Sequence, residues 1–205
     1  MPRAFREDER ERLRDRLVEV GKRLMNRVGY RALTVEDAAR DAGISKGSFY
    51  SFFQSKEEYA LVIFESWERT YRDSLIVGVR DGTGTPRERL ERFFREAMGI
   101  LEREPGMARL GMGEIMRIME RLPPERLAAH RAADTRVAED AVADWVKAGI
   151  IEARDAPALE GVFSALFVLA VHREDFAPGT ASATGALIAE ALAMRLAKEG
   201  KETLS

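Results

Sequence analysis

The pattern that decides the fold of this chain lies in residues 34–56, TVEDAARDAGISKGSFYSFFQSK. Thr34 predicts the N-cap of one short helix that ends at Gly43, and Ser45 predicts the N-cap of a second that reaches about Phe53. The glycine between them can adopt the left-handed backbone conformation that a tight corner between two helices needs. These residues therefore predict a helix–turn–helix unit.

The second of these helices has an aromatic side and a small, polar side. Phe49, Phe52 and Phe53 have the spacing of residues that share one buried helix face, and Ile44 adds a further inward anchor. The opposite side is formed by small or hydroxyl-bearing residues: Gly47, Ser48, Tyr50 and Ser51. A helix with so slender an outer side fits the major groove of B-DNA, which is roughly 12 Å wide.

Several polar groups around this helix suit the phosphate oxygens of DNA, which position a protein without specifying sequence. They are the hydroxyls of Thr34, Ser45 and Tyr50 and the ammonium groups of Lys46 and Lys56. The backbone amides at the start of the next helix, behind the N-cap Ser55, add an anion-binding terminus. Ser48, Ser51 and the backbone of Gly47 are nearest the base edges. Serine accepts several bases, so no operator sequence follows.

Hydrophobic patterns with helical period continue through nearly the whole chain, and we find no convincing alternating pattern of a β-strand. The sequence therefore predicts an all-α protein. Outside the helix–turn–helix the helices are expected at about residues 6–28, with Gly29 just past the end, and at 55–79, 86–101, 107–121, 125–148, 157–169 and 180–198.

Composition excludes several classes of function. The chain has 205 residues, 45% of them hydrophobic, which is enough for one or two domains with a real core. It has no cysteine and only two histidines, so disulfides, thiol catalysis and most metal sites are excluded. We find no G-x-S-x-G, H-E-x-x-H or P-loop motif. The sequence predicts no enzyme, no metal and no cofactor.

No apolar run is long enough to span a bilayer, and the charged first residues are unlike a signal peptide. We therefore expect a soluble, cytoplasmic protein without a membrane partner. The net charge is −2, but residues 1–56 contain 13 basic and 9 acidic residues. The N-terminal part is therefore basic and the remainder acidic, an asymmetry that is consistent with an N-terminal anion-binding module but does not by itself predict one. Arg3, Arg6 and Arg10 form either an arm that tracks DNA or a solvated helix face.

The segment 29–59, GYRALTVEDAARDAGISKGSFYSFFQSKEEY, closely resembles the DNA-binding region of the TetR family of bacterial transcriptional regulators. The resemblance implies a helix–turn–helix DNA-binding domain of three helices in residues 1–54 and a helical effector-binding and dimerisation domain in residues 55–205. It also implies a homodimer, typically a repressor that a small molecule releases from a palindromic, double-stranded DNA operator. The positions that match family DNA contacts are Thr34, Ser45, Lys46, Ser48, Tyr50 and Lys56. Many members carry His where this chain has Ser51.

The C-terminal body contains candidates for an effector pocket. Five of the eight methionines lie between Met98 and Met119, and methionine adapts to irregular apolar guests. The candidate wall residues are Trp67, Tyr71, Phe94, Met98, Met112, Met116 and Trp145. A pocket so poor in cations and imidazoles predicts a largely apolar effector. The alternative is that these residues form a loosely packed core.

The last two helices are rich in leucine and small residues, a composition that permits close helix packing. We expect Leu166, Leu169, Leu187 and Leu192 to form a bundle with a second copy of the chain, because a palindromic operator needs a two-fold protein. The alternative is an internal core. A different class of function also stays open, namely a helical adaptor that uses the same aromatic corner to bind protein rather than DNA.

Overall fold

The computed structural model of the chain describes residues 7–99, 106, 109–110, 112–172, 175–177 and 179–198. Within these residues the architecture is all-α, which confirms the predicted fold class. The helices are α1 (Glu7–Ala32), α2 (Val35–Ala42), α3 (Lys46–Phe49), α4 (Lys56–Asp81), α5 (Pro86–Met98), α6 (Met112–Glu120), α7 (Pro124–Lys147), α8 (Ala156–Val171) and α9 (Thr180–Leu196). None of these described helices is long and apolar enough to cross a bilayer.

The chain divides into two compact units. The N-terminal unit comprises residues 1–69 and 102–123, and the C-terminal unit comprises residues 70–101 and 124–205. The boundary predicted between residues 54 and 55 is a functional division of the sequence, and it stays a prediction.

The apolar stripe of α1 packs into the core of the N-terminal unit. Leu17, Val20 and Leu24 are buried, as their helical spacing predicts, whereas Val28 at the end of the stripe is 43% exposed. Gly29 follows at once with a φ of 76° and a ψ of 170°, which interrupts the helical path before one last turn to Ala32. The predicted stop at Gly29 is therefore found as a kink, and the stripe ends there.

The C-terminal unit has its own aromatic core. The Trp145 ring is fully buried and packs edge-on against Phe93 and Phe163, with ring centroids 5.0 Å and 6.1 Å away. Its indole Nε1 donates a 3.4 Å hydrogen bond to the carbonyl of Ile76. A buried tryptophan thus keeps a polar partner.

Hydrogen bonds and an ion pair join the last described residues to the segment before α8. Ile151 and Ala197 form an isolated antiparallel β-bridge, and the Lys198 amide donates to the Ile150 carbonyl at 2.8 Å. The Arg195 guanidinium donates to both carboxylate oxygens of the buried Asp155, at 2.8 Å and 3.2 Å. This paired geometry balances the buried charge of Asp155.

Candidate nucleic-acid interface

The corner between α2 and α3 is built as the sequence predicts. The Thr34 hydroxyl accepts a 3.1 Å hydrogen bond from the Asp37 amide and so caps α2. At the other end Gly43 has a φ of 74° and a ψ of 30°, and its amide donates to the carbonyls of Ala39 and Arg40. This left-handed glycine ends α2 and turns the chain into α3.

Helix α3 is shorter than predicted. Ser45 caps it, with a 3.0 Å bond from the Ser48 amide, but the helix comprises only Lys46–Phe49 and not the residues up to Phe53. Beyond it the chain continues through hydrogen-bonded turns. The Ser51 hydroxyl donates to the Ser48 carbonyl at 2.7 Å, a local bond that competes with regular helix.

Three aromatic rings in edge-on and tilted contact support α3 from inside, and we call this cluster the aromatic stack. Phe49, Phe53 and Tyr59 are each at most 1% exposed, and their ring centroids lie 4.9–5.4 Å apart. The Tyr59 hydroxyl donates a 2.5 Å hydrogen bond to the Leu17 carbonyl, which ties the stack to α1. Burial raises the pKa of Tyr59 far above its ordinary value, so this hydroxyl stays protonated. The stack holds α3 at the surface.

Phe52 departs from the expectation of a shared buried face. It is only half-buried, whereas Phe49 and Phe53 are in the core. The reason is the end of the helix at Phe49, because the turns that follow direct successive side chains away from a common face. Tyr59, which the sequence analysis did not include among the anchors, takes the third place in the stack.

The outer side of the α3 region is open to solvent. Tyr50 is 47% exposed, Ser48 is half-buried, and the remaining members are exposed: Ser45, Lys46, Gly47 and Ser51. Thr34 at the start of α2 is exposed as well. A slender surface with hydroxyl groups is therefore available to a ligand as large as a DNA duplex.

The charge of Lys46 is balanced within the unit. Its ammonium forms an ion pair with Glu36 on α2, and both side chains are more than half exposed. The hydrogen bond from Lys46 lowers the pKa of Glu36, and the same bond raises the pKa of Lys46. A phosphate that binds Lys46 must therefore replace Glu36.

Lys56 lies in a different environment at the start of α4. Its ammonium is 4.4 Å from the centre of the Tyr30 ring and donates to the Arg31 carbonyl at 3.3 Å. Burial lowers the pKa of Lys56, although the neighbouring Glu57 opposes this shift. An ammonium held against an aromatic face has a fixed direction, which suits a phosphate contact at this helix terminus.

Glu57 links α4 to α1 and to Arg121, the residue that follows α6, within the same unit. Its carboxylate accepts a 3.1 Å bond from Arg121 and a 3.3 Å bond from the Tyr30 hydroxyl. Burial raises the pKa of Tyr30 to about 12, and the nearby Glu57 charge adds to this shift. Arg31 in turn pairs with Glu114 on α6. The surroundings of Lys56 are therefore fixed by several ion pairs.

Two arginines of α1 contact this region: Arg10, which the sequence placed in a DNA-tracking arm or on a solvated helix face, and Arg14, for which the sequence predicted no role. Arg10 Nη2 donates a 2.6 Å hydrogen bond to the Ser51 carbonyl, and the Arg10 guanidinium lies 5.1 Å from the centre of the Phe52 ring. Arg14 lies over the Phe53 ring at 5.8 Å. Arg10 belongs to α1, and Arg3 and Arg6 lie outside the described residues. The four-residue spacing of Arg10 and Arg14 was a signal that both occupy one helix face.

The predicted pocket residues are distributed over several environments. Trp67 is buried in the N-terminal unit, and Phe94 and Trp145 are buried in the C-terminal core. Met98 is half-buried against that core, and Met116 is 49% exposed. The side chains of Tyr71 and Met112 lie outside the described residues. A common pocket for these seven residues stays a prediction.

A shallow apolar depression occurs in the N-terminal unit. Its lining comes from the start of α4, from α6 and from the residue Leu110: Ala60, Leu61, Phe64, Leu110, Ile115, Ile118 and Met119. Methionine side chains adapt to irregular apolar guests, and among the described methionines of this region Met119 lines the depression.

The four leucines predicted at the dimer interface differ in exposure. Leu166 is 5% exposed and belongs to the core of its own unit, which is the alternative that the sequence left open. Leu169 and Leu192 are half-buried. Leu187 is 68% exposed and Met194, seven residues later on α9, is 62% exposed. Among the four, Leu187 presents the largest apolar surface to solvent.

Comparison with known families identifies the helix–turn–helix. Residues 17–61 match the family model of bacterial regulatory proteins, tetR family. This segment is similar to the DNA-binding segment of the TetR family. The matched TetR segment contains the end of α1, all of α2 and α3 and the first residues of α4, so it includes the aromatic stack and the exposed side of α3.

Curated relatives that match about half of the chain are transcriptional regulators. The transcriptional regulator AcuR of Cereibacter sphaeroides is 30% identical over 119 residues, which are 55% of this chain and 52% of that regulator. The HTH-type transcriptional repressor KstR2 of Mycobacterium tuberculosis is 32% identical over 108 residues, 51% of this chain and 52% of the repressor. The chain thus spans about half the length of these curated relatives.

A solved structure resembles nearly the whole chain. A TetR transcriptional regulator from Rhodococcus sp. RHA1 has a TM-score of 0.63 and 17% sequence identity, covering 91% of this chain and 97% of that one. At this identity the likeness establishes the fold alone: an all-α chain with a TetR-type N-terminal domain and a helical C-terminal domain.

Proposed function

We propose that this chain is a transcriptional regulator that binds double-stranded DNA through α3 and its flanking residues. The observation that carries this proposal is the slender, hydroxyl-bearing side of α3, which is exposed above a buried aromatic stack. Ser48, Ser51 and the Gly47 backbone are the residues for the base edges. Their small side chains let the backbone approach the floor of the major groove.

The phosphate contacts are assigned to groups on either side of α3. Thr34, Ser45 and Tyr50 offer hydroxyls, and Lys46 and Lys56 offer ammonium groups. Lys56 is the strongest candidate, because the Tyr30 ring directs its ammonium and the N-terminus of α4 adds backbone amides. Lys46 contacts a phosphate once its ion pair with Glu36 is broken.

The regulator acts as a homodimer on a palindromic operator. Reading two half-sites one helical turn apart needs two copies of α3 related by a two-fold axis. The exposed apolar residues of α8 and α9 support these helices as the interface: Val168, Leu187 and Met194. Exposed small residues accompany them on the same two helices: Gly161, Ala165, Ala183 and Ala191.

The regulator is a repressor whose effector is a small, largely apolar molecule. In this scheme the effector binds the C-terminal domain and favours a dimer whose two α3 helices no longer fit successive major grooves. Support comes from the apolar character of the candidate wall residues, of which Met98 is half-buried at the edge of the C-terminal core. Mass spectrometry of small molecules that co-purify with the protein tests the effector class.

Titration of a fluorescent duplex from the DNA upstream of the chain's own gene tests the DNA-binding function. The wild-type protein should bind with an affinity that falls steeply as salt rises, because phosphate contacts release counterions. Tyr50→Ala should weaken binding roughly tenfold, and Lys56→Ala should also lower the salt slope by about one. Lys147→Ala, which removes an exposed charge at the end of α7, is the matched control and should bind as wild type.

The same titration separates this function from the protein-binding adaptor. If the wild-type protein shows no salt-dependent binding to duplex DNA, or if Tyr50→Ala and Lys56→Ala bind like the control, the proposed interface is wrong.

A further inference from the structure

Arg10 contacts the segment that follows α3 in two ways. Its Nη2 donates a 2.6 Å hydrogen bond to the Ser51 carbonyl, and its guanidinium lies over the Phe52 ring at 5.1 Å. These partners are more than 40 residues away in sequence, so the contacts bring α1 against the end of residues 45–53, which we call the recognition segment. Arg14, one turn later on α1, lies over the neighbouring Phe53 ring.

We propose that Arg10 is a positioning residue that fixes the C-terminal end of the recognition segment for DNA binding. The effect of Arg10 on DNA binding rests on the proposed function. Arg10 acts through the Ser51 backbone and the Phe52 ring, rather than through a phosphate or a base. Ser51 and the preceding Tyr50 are among the residues assigned to DNA, so the bond from Arg10 sets the position of both.

The need for such a residue follows from the length of α3. A helix of four residues is far below the length at which helices are stable alone, and α3 is followed by turns rather than by further helix. The amides of Ser51 and Phe53 return to the carbonyls of Ser48 and Phe49, at 3.1 Å and 3.2 Å. The Ser51 carbonyl is used by Arg10 instead.

Arginine suits this position because of its planar side chain. A guanidinium can donate in its plane while its face covers an aromatic ring, whereas an ammonium is a compact charge without a face. Arg10 makes both contacts at once. A lysine at position 10 would keep the charge and a donor but lose the stacked plane, so it should rescue the function only in part.

Arg12 provides a matched control on the same helix. It is exposed like Arg10, but its Nε donates to the Asp8 carbonyl of its own helix at 3.0 Å. Arg10→Ala and Arg12→Ala therefore remove the same charge from the same helix, and they differ in the contact with the recognition segment.

The first measurement is duplex affinity at a series of salt concentrations. We expect Arg10→Ala to weaken binding roughly fivefold at every salt concentration, as expected for one lost hydrogen bond of ordinary net strength. Its salt slope should equal that of Arg12→Ala, because a positioning residue releases no counterion. Arg12→Ala should keep nearly wild-type affinity, and Arg10→Lys should lie between Arg10→Ala and wild type.

The second measurement needs no DNA. Hydrogen–deuterium exchange of the free protein should show faster exchange of the amides of residues 51–53 in Arg10→Ala than in Arg12→Ala. Unchanged melting temperatures would show that the unit as a whole stays folded. If the wild-type protein fails to bind duplex DNA, the proposed function fails, and the role of Arg10 in fixing this segment is decided by the exchange data.

Three results would overturn the inference. The first is a salt slope that falls by about one more in Arg10→Ala than in Arg12→Ala, since that would make Arg10 a direct phosphate contact. The second is equal affinity of the two variants. The third is unchanged exchange at residues 51–53.

Discussion

At the scale of single residues, Gly21 shows how closely α1 and α4 approach in the N-terminal unit. A Cβ atom at this position would lie 2.6 Å from the Tyr59 hydroxyl oxygen and would also clash with Ile63 Cδ1. The Tyr59 hydroxyl must pass this point because it donates to the Leu17 carbonyl one turn earlier on α1. A mid-helix glycine that looks unfavourable in the sequence thus makes room for the aromatic stack.

Gly21→Ala should therefore destabilise the protein. Helix propensity alone would favour alanine by about 1 kcal/mol, but overpacking of this kind costs about 1–3 kcal/mol, so we expect a net loss. Gly78→Ala is the control, because a Cβ at that position of α4 meets no other atom within 4 Å and should stabilise the helix. Urea denaturation measures both; a stabilised Gly21→Ala would contradict the packing argument.

The ion pair between Glu36 and Lys46 also acts at the level of single residues. Glu36→Gln should tighten binding to DNA severalfold and steepen its salt dependence, because Lys46 is released for a phosphate and a repelling charge is removed. Glu19→Gln makes the same charge change in the exposed pair between Glu19 and Lys22 on α1. Duplex titrations of the two variants should differ; equal affinities would mean that Lys46 does not contact DNA.

At the scale of elements, α2 and α3 depend on their ends. Both helices are short, so they depend strongly on their capping residues. Thr34 and Ser45 cap their N-termini, and the left-handed Gly43 ends α2. Gly43 and Gly47 are only four residues apart and have different structural roles. Gly43 shapes the corner, whereas Gly47 has ordinary helical geometry and keeps the outer side of α3 small.

Alanine at these two glycines should separate folding from DNA binding. Gly43→Ala forces an L-residue to a φ of 74° and should lower the free energy of unfolding by about 1–2 kcal/mol. Gly47→Ala, whose Cβ would meet only the Ser45 hydroxyl at 3.8 Å, should leave stability unchanged or higher yet weaken duplex binding. Thermal unfolding and anisotropy titration on the same samples test this; the reverse pattern would place the DNA on another surface.

The sequence predicted the caps, the corner and the all-α fold because these features are encoded by residues close together in the chain. Ser45 and Gly43, for example, act through neighbours within five residues. It predicted neither the early end of α3 nor the exposure of Phe52, since the aromatic packing that selects Phe49 and Phe53 for the core includes Tyr59, outside the helix–turn–helix pattern. The contact between Arg10 and Ser51 joins distant residues and leaves no local pattern.

At the scale of the whole molecule, the proposed dimer depends on exposed apolar surfaces of α8 and α9. The sequence suggests a second copy of the chain as their partner. Leu187 and Met194 leave apolar area exposed on α9, and contiguous exposed apolar patches mark interaction sites in many proteins. The pocket is less predictable still. Trp145 and Phe94 were candidates for pocket walls, and both are buried in the core. The sequence cannot separate these two roles, because aromatic side chains serve both equally well.

Leu187→Glu should convert the proposed dimer to a monomer. A carboxylate at an interface centre is costly to bury, so the mass measured by light scattering should fall by half at micromolar concentration. Binding to a palindromic operator should weaken at least tenfold in parallel. Ala143→Glu, an exposed change on α7, should alter neither quantity. A dimeric Leu187→Glu protein would contradict an interface centred on this residue.

Under the proposed function, the one-turn length of α3 limits how the DNA specificity of the chain can be re-engineered. A chimera that swaps only residues 45–51 for those of another regulator transplants a segment that cannot hold its own conformation. The graft would need to keep the host's rings at Phe49, Phe53 and Tyr59 and the guanidinium of Arg10. New operator preferences are therefore easier to introduce one side chain at a time, at Ser48 and Ser51, than by exchanging the helix.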